Sequence, residues 1–179
     1  MADTSTNTGA TIGLLQILVG PVAEDGNMPA TSNMTKVGMV YKGTCTTTQD
    51  ASERTEHYEE GRTVPVVINK SKNTPKVSFS LIVDDLQILV DTLGGELIMD
   101  SSGNVTGWGI NGDELPGARS FKLVTKQGVD IEIPNGDIDA NLNSSLTQDG
   151  IFLVEVVVTP LSVTSGKAFR VAKKTTASA

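Results

Sequence analysis

Alternation of apolar and polar side chains is the feature that most constrains how this chain can fold. Val77, Phe79 and Leu81 alternate with Ser78 and Ser80, which is the period of a strand with one buried face. Short runs of this kind, separated by turn residues, recur along the sequence. The pattern is typical of antiparallel sheets. It predicts a mainly β protein, a β-sandwich or partial barrel of antiparallel strands.

The predicted strands are bounded by segments rich in turn-forming residues. Residues 126–128 (Lys-Gln-Gly) and Asn135-Gly136 are typical of hairpin turns, so each is predicted to join two paired strands. The basic segment 70–74 is predicted to join another pair. On this basis strands are predicted at residues 11–19, 36–44, 63–69, 75–83, 96–99, 120–126, 129–134, 137–142 and 150–161.

Residues 84–95 have the period of a helix instead. Asp84 or Asp85 can cap its start, and Gly94 and Gly95 can supply the left-handed backbone that ends it. Because a helix this short is not stable alone in water, its apolar face is predicted to pack on the sheet. That face has members at i, i+3, i+4 and i+7, namely Leu86, Leu89, Val90 and Leu93.

The longest polar segment, residues 46–62, shows no apolar period and is predicted to be an exposed loop. Long loops are uncommon in compact domains and are usually functional. Because such a segment adds nothing to the core of a monomer, we expect it to act between molecules. The residues expected to make its contacts are Glu53, Arg54, Glu56, Tyr58, Glu59, Glu60 and Arg62.

The length of 179 residues favours one domain. Residues 1–10 are predicted to be a flexible start, residues 11–162 the β domain, and residues 163–179 a flexible basic tail. No apolar run approaches the roughly 20 residues of a membrane span, so no membrane association is expected. The first residues lack a basic start and an apolar signal core, which indicates synthesis in a cytoplasm.

Composition disfavours several classes of function. The chain has 14 basic and 21 acidic residues, a net charge of −7, which opposes tight binding to phosphate backbones. One cysteine, Cys45, cannot form an internal disulfide, and with one histidine, His57, it cannot complete a four-ligand zinc site. The common catalytic and nucleotide-binding motifs are also missing from the sequence. We therefore predict a non-enzymatic protein without a cofactor.

Three features of the sequence contain residue types that are found in chemical sites. Residues 103–112 are glycine-dense, but they do not open a helix, so a loop with tight turns is favoured over a phosphate site. His57 stands among glutamates, where a solvated loop is favoured over a cation site. Carboxylates two residues apart on a strand are more often its solvent-facing side than an acid/base pair. These carboxylates are Asp130, Glu132, Asp137 and Asp139.

The order of the predicted elements resembles that of bacteriophage tail tube proteins of the long, non-contractile type. VSFSLIVDDLQILVDTLGGEL is similar to the strand-then-helix unit of that family. VDIEIPNGDIDANLNSSLTQDGIFLVEVVVTPL resembles its closing series of strands. The resemblance covers about residues 10–162. The segment around Trp108 departs from the family pattern.

The resemblance implies a structural virion protein, made in a host cytoplasm, that forms stacked rings, usually of six subunits. Inner strands of neighbouring subunits would complete one barrel, through which DNA passes without specific binding. The partners implied are further copies of the chain and tape-measure, tail-tip and tail-terminator proteins. The long loop would reach the next ring, and the acidic residues Asp130, Glu132, Asp137 and Asp139 are candidates for the lumen wall.

Two alternatives stay open at this point. The chain could be the inner tube subunit of a contractile injection machine, which has the same fold and needs a sheath partner. It could also be a monomeric β-sandwich that serves as a binding or adhesion module. Particle size separates the second alternative from the tube subunit, because a monomeric module stays monomeric at every concentration.

Overall fold

The computed structural model describes residues 10–112, 114–145, 147 and 149–174. It is mainly β with one α-helix, which confirms the predicted fold class. The helix, α1, is Gln87–Leu93, and a short 3-10 helix spans Thr31–Asn33. The strands are β1 Ile12–Gly20, β2 Thr35–Lys36, β3 Met39–Val40, β4 Thr46–Thr48, β5 Glu53–His57, β6 Val67–Ser71, β7 Lys76–Ile82, β8 Glu96–Met99, β9 Val105–Gly109, β10 Arg119–Gln127, β11 Val129–Leu142, β12 Leu153–Pro160 and β13 Arg170–Lys173.

Nine of the strands form one antiparallel sheet that curls into a half-barrel. Its main path runs β2-β1-β10-β11-β12-β7-β3, while β13 pairs with β11 and β4 pairs with β7. Two hairpins, β5–β6 and β8–β9, are separate from it. The half-barrel therefore forms the body of the protein, and the hairpins are additions to it.

The core lies on one face of the curled sheet, as the alternation predicts. Val77, Phe79 and Leu81 on β7 are at most 2% exposed. Their registered neighbours on β12, Val154, Val156 and Val158, are also buried. We call this the core face and the opposite one the outer face. Further buried apolar side chains on the core side are Ile17, Ile88, Leu89, Phe121, Leu123, Ile133 and Ile138.

Strand β11 is continuous across residues for which the sequence predicts a hairpin turn. Asn135-Gly136 lies inside the strand, where the pairing with β10 gains one extra residue. This is a β-bulge, which bends a strand without reversing it. A side chain is excluded at Gly136, because a Cβ there would lie 2.7 Å from Val158 Cγ1. The predicted turn is therefore wrong, and the glycine instead permits close packing.

Helix α1 packs on the core face, but its buried side differs from the predicted stripe. Leu89 is buried as predicted, whereas Leu86 and Leu93 are half-buried and pack on the edge of the core. Val90 is half-buried, and Ile88 and Thr92 take the most buried positions beside Leu89. The threonine is accommodated because its hydroxyl donates a 2.6 Å hydrogen bond to the Ile88 carbonyl.

Both predicted ends of the helix have structural counterparts. The Asp85 carboxylate accepts a 3.0 Å hydrogen bond from the backbone N–H of Gln87. Gly94 and Gly95 have φ angles of 81° and 80°, which favour glycine. A Cβ at either glycine would also lie 2.4 Å from a backbone oxygen. The Gly-Gly pair therefore ends the helix as predicted and lets the loop pass close to it.

Two other strand predictions and one loop prediction are corrected by the pairing. The run 36–44 is two short strands, β2 and β3, which lie on opposite edges of the sheet and are separated by Gly38 with a φ of 130°. The strands predicted at 63–69 and 75–83 do not pair with each other, because β6 pairs with β5 and β7 pairs with β12. The segment around Trp108 forms β9 and pairs with β8.

The predicted flexible tail contains a strand. Residues Arg170–Lys173 form β13, which pairs antiparallel with Val129 to Glu132 on β11. The Lys174 ammonium also donates to the Thr125 carbonyl oxygen. The prediction is therefore wrong for these residues. Residues 1–9 and 175–179, also predicted to be flexible, lie outside the described residues.

Candidate assembly surfaces

The polar segment predicted as a loop is in part a β-hairpin. Residues Glu53–His57 form β5 and pair with Val67–Ser71, which form β6. We call residues 53–71 the arm. All ten residues of its two strands are exposed, and both strands pair only with each other among the described residues. The prediction of exposure is correct, and the prediction of an irregular loop is wrong for β5 and for the preceding β4.

Hydrogen bonds at the base of the arm hold its two sides together. Gln49 donates from its side chain to the Asn73 carbonyl at 2.6 Å, and Asn73 donates from its side chain to the Ala51 carbonyl at 2.8 Å. These two contacts close the hairpin just below β5 and β6. The arm is therefore a defined projection with a fixed base.

Polar contacts within the arm involve most of the residues predicted to act between molecules. Arg54 pairs with Glu56 at 3.5 Å, and Arg62 pairs with Glu59 at 2.7 Å. All four side chains are largely exposed, so each pair contributes only about 0 to 1 kcal/mol. Glu53 and Glu60 form no ion pair among the described residues.

Tyr58 lies at the start of the turn of the arm. Its hydroxyl donates a 2.5 Å hydrogen bond to a carboxylate oxygen of Glu56. That hydrogen bond raises the pKa of the Tyr58 hydroxyl above its ordinary value, because ionised tyrosine has no proton to donate to the carboxylate. Its side chain is nonetheless 53% exposed. An aromatic ring is thus presented to solvent with a carboxylate beside it.

The arm also carries exposed apolar residues that were not among the predicted contact residues. Val64 is 70% exposed, and Val66, Val67 and Ile68 are between 40% and 58% exposed. The β-branched run at residues 64–68 signals a strand, but the sequence does not show that its partner is the charged segment 53–57. The arm therefore combines charged and apolar side chains on one exposed hairpin.

The four candidate lumen carboxylates all lie on the outer face of β11, in two different environments. Asp137 and Asp139 are exposed, while Asp130 and Glu132 are each 7% exposed. Asp130 accepts a 2.9 Å hydrogen bond from the backbone N–H of Thr125. The expectation of a solvent-facing side is therefore correct for Asp137 and Asp139 and wrong for the other two.

Glu132 is the centre of an ion-pair network across three strands. Its carboxylate lies 3.1 Å from the Lys122 ammonium of β10 and 3.5 Å from the Arg170 guanidinium of β13. Both partners stand directly opposite Glu132 in the strand register. The network fixes the C-terminal strand to the sheet. Because the Glu132 carboxylate is buried and paired, it adds no accessible negative charge to this half of the outer face.

The other half of the outer face is acidic. Asp137, Asp139 and Glu155 lie on the adjacent strands β11 and β12 and form no ion pair among the described residues. Glu155 accepts a 2.6 Å hydrogen bond from the Asn143 side chain. Ser78 and Ser80 of β7 lie on the same side of the sheet, although Ser80 is only 7% exposed. The exposed charge on this half of the face is negative.

His57, Cys45 and the glycine-dense segment lie on different elements of the fold. His57 ends β5 on the exposed arm. Cys45 is half-buried, and burial raises the pKa of its thiol, which disfavours the reactive thiolate. The glycine-dense segment forms β9, where the Trp108 ring N–H donates a 2.9 Å hydrogen bond to the Gly94 carbonyl. Within the described ranges, no group of three or more His, Cys, Asp or Glu side chains is placed to bind a metal.

Comparison with known proteins adds no relative. No protein-family model matches the chain, and no curated protein matches it. Across the described part of the chain, no helix has the length and apolar character needed to cross a membrane. The features of the structure that bear on function are therefore the arm, the outer face and the edges of the sheet.

Proposed function

We propose that this protein is the structural subunit of a tube, assembled as stacked rings like those of bacteriophage tails and serving as a conduit for DNA. The observation that carries the proposal is the arm. A lone two-stranded hairpin is at best marginally stable in water, and all ten strand residues of this one are exposed. Contact with a neighbouring copy would bury its apolar and charged side chains.

The edges of the sheet support lateral association into rings. Strand β2 pairs with β1 only at Leu18 and Val19, so within the described part of the chain the earlier half of β1 has a partner on one side only, strand β10. Ile12 and Leu15 in that half are more than 50% exposed. Unpaired strand edges readily accept a strand from another molecule. Closing a ring would remove these edges.

The acidic half of the outer face suits the wall of a DNA channel. Asp137, Asp139 and Glu155 present negative charge, and no cation of the described residues pairs with them. Such a surface offers phosphates no ion pairs, so DNA can pass without being held. In this proposal the partners are other copies of the chain and the proteins that begin, measure and end the tail, and the assembled protein resides in a virion.

Electron microscopy of two proteins tests the proposal. Wild type, concentrated in the presence of a tail-tip nucleator, is expected to form tubes. A variant in which a short Gly/Ser linker replaces residues 52–72 is expected to keep the circular dichroism of the folded body but to form no long tubes. Since many stacking contacts would be ionic, high salt should shorten the wild-type tubes.

Two results would contradict the proposal. Wild type that stays monomeric by light scattering at every concentration, with the nucleator present, would instead support a monomeric binding or adhesion module. If the variant without the arm forms normal tubes, the arm is not required for stacking. Specific capture of a contractile sheath protein by wild-type tubes would assign the subunit to a contractile machine.

A further inference from the structure

A pocket of about 260 Å³ opens between helix α1 and the curled sheet. It reaches into the core, because its floor is formed by four apolar side chains of the core face. Its rim is formed by polar and charged residues of the neighbouring elements. The floor residues are Phe79, Phe121, Ile138 and Val156, and the rim residues include Asn33, Lys36, Asp91 and Arg119. We call this the helix pocket.

The size of the helix pocket favours a side chain as its occupant. Pockets that hold drug-sized ligands measure roughly 300 to 1,000 Å³, and this one is smaller. Its floor consists of residues that are at most 8% exposed, so an inserted apolar group would contact well-ordered core side chains. Filling such a space recovers dispersion contacts that the lining otherwise lacks. A single large side chain from another protein meets both requirements.

The rim of the helix pocket favours an acidic partner. Lys36 forms no ion pair among the described residues, and Arg119 approaches the Asp91 carboxylate only to 3.9 Å. The side chains of Arg119 and Asp91 are also about half exposed, so their mutual attraction is weak. With two cations and one anion, the rim has a net charge of +1. It attracts a segment of opposite charge.

The turn of the arm has the complementary chemistry. Tyr58 presents a half-exposed ring, and tyrosine is among the residues that most often anchor protein interfaces. Glutamates stand near it at positions 56, 59 and 60, and although Arg54 and Arg62 pair with two of them, residues 53–62 have four glutamates against two arginines, a net charge of −2. Among the described residues, the arm pairs with no other strand of its own chain. A second copy of this chain is therefore the partner that both surfaces fit.

We infer that the Tyr58 ring of one copy inserts into the helix pocket of a second copy. The ring contacts the apolar floor, and the acidic residues of the turn face Lys36 and Arg119. This inference rests on the proposed stacking role of the arm and identifies the site that receives it. It makes the contact heterologous, with arm on one side and pocket on the other, which is the kind of contact that propagates along an axis.

Substitutions at both surfaces test the contact. The quantity measured is the lowest protein concentration at which tubes sediment, compared between wild type and each variant. Tyr58→Ala should raise that concentration by about tenfold or more, as expected for loss of an aromatic interface anchor. Tyr58→Phe keeps the ring and should stay close to wild type. Lys36→Glu should also raise it, whereas Lys42→Glu makes the same charge change away from the pocket and should not. Circular dichroism checks that each variant is folded.

Cross-linking between two populations of chains tests the position directly. Two proteins are made in a Cys45→Ser background, one with Glu59→Cys on the arm and the other with Thr35→Cys at the pocket. The two proteins are mixed, and the tubes that form are treated with a short bismaleimide. Because the cysteines are on different chains, any cross-linked dimer joins two copies. The matched control replaces Thr35→Cys with Thr48→Cys, which is exposed on β4. The pocket pair should give at least several times more dimer than the control.

The outcomes separate this inference from the proposed function. If wild type forms tubes but Tyr58→Ala assembles equally well, or the pocket pair cross-links no more than the control, the pocket is not the receiving site and the tube proposal stands. If wild type forms no tubes with the nucleator present, the proposed function fails and the inference fails with it.

Discussion

Glu132 and Asp137 lie on the same face of strand β11, although the difference between their residue numbers is odd. In a regular strand such a pair would point to opposite faces. The bulge at residues 134–136 adds one residue to the pairing with β10, and this exchanges the two faces. Before the bulge Ile133 points to the core, and after it Ile138 does. The bulge thus places both carboxylates on the outer face.

Gly136 should be required for this bulge. A Cβ at this position would lie 2.7 Å from Val158 Cγ1 and 3.2 Å from buried atoms of Ile133 and Phe121. Gly136→Ala is therefore expected to lower the free energy of unfolding by about 1 to 3 kcal/mol through overpacking. Urea denaturation measures the change. Gly117→Ala, where a Cβ would meet nothing within 4 Å, is the control, and equal effects of the two substitutions would refute the close packing at Gly136.

Removal of Glu132 should destabilise the protein more than removal of Arg170. Glu132→Ala leaves Lys122, whose side chain is 23% exposed, without its anion. Breaking a buried pair costs roughly 3 to 5 kcal/mol, and partial exposure places this case at or below the lower end. Arg170→Ala should cost about 1 kcal/mol or less, because that side chain is 43% exposed. Thermal or urea unfolding gives the order, and a larger loss from Arg170→Ala would contradict it.

The helix should be most sensitive at Leu89. This residue is 3% exposed, so Leu89→Ala is expected to cost about 2 to 5 kcal/mol through the cavity it leaves. Leu93→Ala removes the same atoms from a half-buried site and should cost less. Gln87→Ala, on the exposed side, should change stability by no more than about 0.5 kcal/mol. Equal losses at Leu89 and Gln87 would mean that the helix packs by another face.

Cys45 should react slowly while the protein is folded. Burial raises the pKa of its thiol, so less of the nucleophilic thiolate is present at a given pH than in the unfolded chain. Alkylation by iodoacetamide at mildly alkaline pH is expected to be slower in buffer than in urea, with Cys45→Ser as the unreactive control. Equal rates would contradict the burial of this thiol.

The same shift makes a prediction for stability against pH. The pKa of Cys45 is higher in the folded than in the unfolded protein. Its contribution to stability is therefore fully present below the unfolded-state pKa and is lost as pH rises through the folded pKa. Cys45→Ser should lose less stability than wild type over that alkaline range. Parallel losses in the two proteins would show that other groups cause the change.

Local periodicity was sufficient for much of the fold. The alternation along β7 predicted which of its side chains are buried, because successive residues of a strand point to opposite faces. Gly94 and Gly95 marked the end of the helix, because left-handed backbone favours glycine. The short strand at residues 96–99 was also predicted with the bounds that the structure shows. Each of these properties depends on neighbours along the chain.

The tertiary structure decided which distant segments meet. The charged segment 53–57 is a strand because residues 67–71 pair with it, and the basic segment 170–173 is a strand because β11 offers it an edge. Asp130 and Glu132 are buried because groups far away in the sequence, such as Arg170, cover or neutralise them. Strand pairing and ion pairing depend on partners that local periodicity does not specify. The sequence therefore determined which faces are apolar, while the three-dimensional fold determined which polar residues remain available for assembly.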